Sequence, residues 1–562
     1  MKALPLEGFR IYHSINQLIQ PGCKMPSIFK RYFSFSFLHQ SDKLKAMNPD
    51  ILQDHDIHGS SFFPEIPTIL RGAGTVFSGM ILGSALRYLF QLLIARKMGP
   101  ELFGLFFLGF GLFKMLSTIT ELGLPNGIIR YVAIFKGEKD SRRIKGVIIT
   151  ALLTAVAAGT IVGIAMFSLS RLISVHLFNK PALTPVLKYF AIILPFSTIT
   201  TMIVFTLQGF KILKDKIHIR EIFEPLGRII LAVLFIAWGF TLEAPLLAHL
   251  VVGIASVFVA CRLLWKRFPS ILKRHIKPIF EHRKLFRFSS PLLFATFMGQ
   301  LLLWTDTLML GYFKASNIVG IYGAAQRTAL LCSLILFSFH SIFAPIIADL
   351  HNRKKYFDLN ALFKIVSKWS FSLNFPLCII FILFSSTVLN LFGPEFIRGG
   401  AALKVLILGW LVHSYLGITG QMITMTGHSK LQLINNVGMI LMNIILNICL
   451  IPEYGMLGAA LATSTCIIVI DIITTLEVRF ILNMHPFRKD CWKSPLAGGI
   501  GTIFILMFTG LVRINYNTFL FTILIGAFFI LIYIALIFVL GISKEEVFIF
   551  RTISERLKVK NG

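Results

Sequence analysis

Fourteen apolar runs follow one another along this chain. Each is long enough to cross a hydrocarbon layer as a single helix of about 20 residues. Their limits are 74–95, 102–122, 147–170, 186–208, 221–240, 243–264, 288–311, 319–347, 365–391, 402–425, 431–451, 455–478, 495–513 and 518–541. A water-soluble fold cannot hide so much apolar surface. Of the 562 residues, 56% are hydrophobic and only 14% are charged, and the mean hydropathy is +0.77. Lipid must therefore be the solvent for most of the chain. The expected fold class is an all-α polytopic membrane protein.

The net charge of +29 would suggest a nucleic-acid partner in a soluble protein. Here the bases fall in short loops between apolar runs, among them "FKGEKDSRRIK", "KILKDKIHIR" and "HPFRKDCWK". That pattern reads as membrane topology, with no nucleic acid bound. With the N-terminus inside, the loops and tail on that side from Gly123 onward hold roughly 34 Lys and Arg, against about eight outside. Both termini are therefore expected in the cytoplasm, with the spans in the cell (inner) membrane. Residues 1–70 carry no basic segment followed by an apolar one, so no cleaved signal is expected. They are expected to form a poorly ordered extension. Their stretch "SIFKRYFSFSF" suits a membrane surface, and Met47 offers a later start. The seven cysteines are scattered, with no CxxC pair or metal knuckle. Neither a metal nor a cofactor is expected.

The chain repeats itself weakly. "LIARKMGPELFGLFFLG" after the first span aligns with "LMLGYFKASNIVGIYGA" after the seventh, matching Gly104 to Gly320. "LEAPLLAHLV" and "MLGAALATST" open the sixth and twelfth spans. Both pairs lie six spans apart and run in the same direction, as in transporters built from parallel repeats. The expected organisation is a lobe at 71–287, a second lobe at 288–482, a final helix pair at 483–542 and a cytoplasmic tail at 543–562.

These segments, together with "ELGLPNGIIRYVA", "LFGPEF" and "MTGHSKLQLINNVGMILMNIILNICLIPEYGMLGAALAT", resemble the polysaccharide-biosynthesis flippases. That family belongs to the multidrug/oligosaccharidyl-lipid/polysaccharide exporter superfamily. The resemblance runs from Arg71 to about Ile542 and leaves the first 70 residues without a counterpart. It implies two lobes around a central cavity and alternating access that carries a lipid-linked sugar to the outer leaflet.

Charges inside the spans point to the site. Arg87 lies mid-span, where a charge costs at least about 2.5 kcal/mol. Gly79, Gly83, Arg87 and Gln91 recur every fourth residue and share one helix face. That face reads either as a close-packing stripe or as a cavity lining. Lys114, Arg228 and Arg327 are further intramembrane bases, and with Arg87 and Gln91 they form the candidate binding set for an anionic, diphosphate-linked lipid. Arginine suits phosphate because its planar fork binds two oxygens and stays charged. Asp306 and Arg327 lie at similar depths on consecutive spans and are expected to pair. Glu224 and Arg228 are expected to pair at i,i+4. Asp471 has no partner legible in sequence and reads as an ion-coupling or hydrogen-bonding acid. His249, His340 and His413 read as packing residues.

No GxSxG, HExxH or P-loop pattern occurs. The expected protein is therefore no enzyme and no ATPase. It is a monomeric flippase moving a lipid-linked anionic oligosaccharide through surrounding membrane lipid. The alternatives are an ion-coupled drug exporter, which would need acids to dominate the cavity, and a non-transporting component of polysaccharide assembly.

Overall fold

The computed structural model describes residues 66–271, 273, 276–512 and 519–541. The extension before residue 66, with its basic aromatic stretch, and the tail after 541 lie outside the described residues. Every regular element among the described residues is helical. From Thr68 onward the helices pack as one unit.

The first helix, α1 (Ile66–Thr120), holds two of the expected spans. It is broken at Gly99, whose φ of +72° suits only a residue without a Cβ, and Pro100 restarts the helix. Next come α2 (Leu124–Gly137), α3 (Ser141–Leu172) and α4 (Leu183–Gly209). The side chain of Asp140 caps α3, accepting from the amides of Arg142 and Arg143 at 3.0 Å each. A short helix, α5 (Leu213–Ile217), runs through a π-helical stretch (His218–Phe223) into α6 (Glu224–Ala237), and α7 (Glu243–Arg267) follows.

The second half contains α8 (His282–Phe313), α9 (Ser316–Ala329), α10 (Ser333–Asn352), α11 (Tyr356–Leu383) and α12 (Ser385–Asn390). It continues with α13 (Gly400–Leu416), α14 (Ile418–Met425), α15 (Ser429–Tyr454) and α16 (Met456–Leu482), then α17 (Lys493–Val512) and α18 (Phe519–Val539).

Eleven stretches of the described residues are long and apolar enough to cross a membrane, so the chain is a multi-pass membrane protein. The fourteen expected spans differ from this set in three places. The first two lie in the single kinked α1. The fifth falls on α6, which has only 14 helical residues of its own. The last falls on α18, whose described apolar portion is Leu524–Val539.

Packing follows the order of the chain. Helix α4 lies against α2, α3 and α7, and α6 lies against α7. In the second half, α16 lies against α13 and α15, and α11 against α13. Helix α8 joins the halves by touching both α2 and α15.

The two repeat glycines meet. A Cβ on Gly104 would stand 2.9 Å from the Gly320 nitrogen and collide with the Ser316 carbonyl. A Cβ on Gly320 would stand 3.0 Å from the Gly104 nitrogen and collide with the Pro100 carbonyl. Ser316 precedes Gly320 by four residues, as Pro100 precedes Gly104. The contact is thus the same one exchanged between the two helices, which is the mark of a local two-fold relation. Small residues one turn apart allow this backbone approach. Beside it, Phe103, Phe106, Phe107 and Phe190 are buried in one aromatic core.

Candidate functional site: a basic cavity among α1, α4, α6 and α7

A cavity of about 410 Å³ is walled by α1, α4, the segment from Lys216 to Arg228, and α7. Its bases are Arg87, Lys114, Lys216, Arg220 and Arg228, and its acids are Glu121, Glu221 and Glu224. Five against three leaves two positive charges in excess. The remaining wall combines the rings of Phe110, Phe113, Phe205 and His249 with the hydroxyls of Ser117, Ser197, Thr200, Thr201 and Ser256.

The glycine stripe of α1 explains how the walls come together. A Cβ on Gly79 would lie 2.6 Å from the Ile217 side chain, and one on Gly83 would lie 2.9 Å from the Glu221 backbone. The two glycines therefore let the π-helical segment approach α1 closely. One turn further, Arg87 reaches across that contact. Its Nη1 donates to Glu221 at 2.7 Å and its Nη2 to the Ser84 hydroxyl at 3.0 Å. The stripe is thus a packing surface at Gly79 and Gly83 and a cavity wall at Arg87.

Two consecutive residues, Arg220 and Glu221, both line the cavity. In a straight α-helix their side chains would diverge by about 100°. They sit in the π-helical stretch, a distortion that often marks functional positions. Below them Glu224 is buried between two arginines. It accepts from Arg220 Nη1 at 3.1 Å and from Arg228 Nη2 at 2.7 Å. Arg220 also donates to the Thr201 hydroxyl, and Lys216 donates to Gln208 Oε1 at 2.8 Å. The Glu224–Arg228 pair is the i,i+4 contact read from sequence, with Arg220 added on the other side.

Lys114 is held differently. Its Nζ lies 5.4 Å from the Phe110 ring centre and 5.7 Å from that of Phe113, with no carboxylate within ion-pair distance among the described residues. Such cation–π support keeps an ammonium in an apolar wall without neutralising it.

Gln91 and Arg327 do not line this cavity. The Arg327 guanidinium lies 5.1 Å from the Phe107 ring and 4.8 Å from that of Trp304, rings carried by α1 and α8. Its charge interacts with that of Arg87, which in turn interacts with Arg228. Arg87 lines the cavity and Arg327 does not.

The expected Asp306–Arg327 pair does not form. The Asp306 carboxylate is buried and accepts from Tyr322 Oη at 2.8 Å, Asn447 Nδ2 at 2.8 Å, Asn443 Nδ2 at 3.1 Å and the Thr463 hydroxyl. The reason lies in the geometry of α9. Tyr322 points at Asp306, and a residue five positions later is turned about 140° away around the helix. No cationic side chain pairs with Asp306 among the described residues.

Asp471 is not alone either. His413 Nδ1 lies 2.9 Å from its Oδ2, and the Trp410 ring packs edge-on to that imidazole. His413 thus pairs with an acid rather than only packing. His249 is packed as expected, with Nδ1 at 2.8 Å from the Pro245 carbonyl and its ring against Phe90, Phe106, Phe110 and Phe190.

Sequence reasoning passed over Glu121, Lys216, Arg220 and Glu221 because they sit at span ends, where they read as loop charges. The i,i+4 run Arg220, Glu224, Arg228 was the available signal. Asn443 and Asn447, also i,i+4, were the signal for the Asp306 cluster. No group of three or more His, Cys, Asp or Glu suited to a metal occurs among the described residues.

Residues 69–351, half of the chain, match the sequence profile of the polysaccharide biosynthesis protein family. The chain belongs to that family. A relative in Methanocaldococcus jannaschii, an uncharacterized membrane protein, is 24% identical over 466 residues, covering 78% of this chain and 89% of its own. A probable low-salt glycan biosynthesis flippase, Agl15 of Haloferax volcanii, is 22% identical and covers 70% of this chain and 80% of its own. Among solved structures, the lipid II flippase MurJ in an inward closed conformation superposes with a TM-score of 0.61 at 20% identity, covering 82% of this chain and 98% of MurJ. This family member therefore shares its fold with that transporter.

Proposed function

We propose that this protein is a flippase that carries a lipid-linked anionic oligosaccharide across the inner membrane by alternating access. It acts as a monomer with both termini in the cytoplasm. The observation that carries this reading is the sign of the cavity, in which bases outnumber acids and Arg87 is part of the wall. A cationic-drug exporter would need the opposite sign. The flippase names of Agl15 and MurJ support the same reading.

In this reading the chain has fourteen spans, α1 supplying two and α6 and α18 one each. The two lobes are related by the repeat that brings Gly104 onto Gly320. The diphosphate binds between Arg87 and Arg327, where two planar forks address its oxygens. Lys114 and Arg228 add positive potential from the cavity, and Gln91 contributes a donor one turn from Arg87. The lipid tail stays in the bilayer. The chain performs no covalent chemistry. Movement is driven by an ion gradient, with Asp471, which His413 meets, as the acid through which the ion acts.

The experiment uses purified protein in liposomes with a fluorescent polyprenyl-diphosphate oligosaccharide, scored by the fraction that becomes inaccessible to an external quencher. Arg87→Leu should lose most of the transport, and Arg87→Lys should recover only part, because an ammonium keeps the charge without the fork. Wild-type transport by Arg87→Leu, or no translocation by the unaltered protein, would overturn the proposal.

A further inference from the structure

The cavity holds more positive charge than a diphosphate between Arg87 and Arg327 uses. Arg87 is already matched by Glu221 at 2.7 Å. Glu224 is shared by two arginines, and Lys114 rests on two phenylalanine rings with no carboxylate within ion-pair distance among the described residues. Lys216 donates to the neutral amide oxygen of Gln208 and rests on the Phe205 ring, with no carboxylate within ion-pair distance among the described residues. Glu121 is the one remaining acid in the wall. Two positive charges are thus left in a cavity whose lining residues all come from the first half of the chain and do not include Arg327. A buried charge without a counter-charge is costly, so such groups persist where something else neutralises them.

We infer that the glycan moved by this protein bears an acidic substituent, a carboxylate or a phosphate ester, on a sugar near its lipid-linked end. That sugar seats in the cavity with its acid on Lys114 and Lys216, beside the Arg220–Glu224–Arg228 cluster. The inference rests on the flippase reading and extends it from the lipid's diphosphate to the sugar itself. The wall chemistry fits a sugar in other respects. Phe110 and Phe113 offer aromatic faces, and Thr200, Ser197 and Ser256 offer hydroxyls. The Ser256 hydroxyl is buried without a partner, so it is a hydrogen-bonding group left open for a ligand.

The test compares three synthetic lipids that share one polyprenyl diphosphate and differ in the first sugar: glucose, glucuronic acid and glucose 6-phosphate. Binding to the detergent-purified full chain is measured by native mass spectrometry. One or both acidic sugars should bind about tenfold more tightly than glucose, the effect of one charge-assisted contact. The two acidic arms show which substituent the site prefers. In the Lys114→Met, Lys216→Met double variant the ratio of acidic to neutral affinity should fall to about one. Equal affinity for all three lipids in the unaltered protein would overturn the inference and leave the flippase reading standing. So would a ratio that survives in the double variant. Failure of all three lipids to bind would overturn both.

Discussion

The contact between Gly104 and Gly320 gives a sharp test of the fold. Replacing Gly104 by alanine places a methyl group 2.8 Å from the Ser316 carbonyl carbon and 2.9 Å from the Gly320 nitrogen, with the Ser316 oxygen closer still. Relaxed contacts between such atoms need about 3.5 Å or more. All of the clashing atoms are backbone, so no side chain can swing aside. The helices must part by about 1.5 Å at the Ser316 oxygen, and the packed pairs beside them, Leu108 on Gly311 and Phe107 on Gly323, loosen with them. Overpacking of this kind costs about 1–3 kcal/mol. Gly320→Ala should cost a similar amount, because the contact is the same one seen from the other helix. The double variant should cost less than the sum, since helices parted by the first methyl already accommodate the second. Gly299→Ala is the control. No atom lies within 4 Å of a Cβ there, and alanine favours a helix over glycine by up to about 1 kcal/mol. Thermal unfolding in detergent, followed by intrinsic fluorescence, checks the series. If Gly104→Ala unfolds at the same temperature as Gly299→Ala, or the two glycine changes add in full, the reciprocal contact is wrong.

Two further outcomes follow from the buried charges. Glu224→Gln strands Arg220 and Arg228 together and should cost about 3 kcal/mol or more, whereas Glu224→Gln with Arg228→Gln should unfold later than the single change. Equal or lower stability of the double variant would refute the shared pair. Asp306→Ala removes the common acceptor of Tyr322, Asn443, Asn447 and Thr463 and should cost about 3 kcal/mol or more through unsatisfied donors. Added Arg327→Gln should change that cost by no more than about 0.5 kcal/mol, because the two residues share no partner; denaturant titration of the single and double variants measures it.

Much of this protein was legible in its sequence because lipid imposes a simple rule. A backbone that crosses hydrocarbon must satisfy its own hydrogen bonds, so each long apolar run is a helix. The residues that break the rule stand out. Arg87, Lys114, Glu224 and Arg228 were all visible as charges where none belongs, and all four line the cavity. The repeat and its two glycines were visible too. Partners were a different matter. A helix fixes which side chains share its own face, which is why Glu224 and Arg228 could be paired in advance. It does not fix which neighbour presents a donor at that depth. Asp306 met Tyr322, Asn443, Asn447 and Thr463 rather than Arg327. Asp471 met His413 from another helix, and Arg87 met Glu221 across 134 residues of chain. Those choices depend on how helices are rotated and how closely they approach. Here that was decided by the glycines at 79 and 83 and by a π-helical stretch that changes the angle between neighbouring side chains. Periodicity along one helix is a local property of sequence, whereas the rotation of one helix against the next is settled only when all of them pack together.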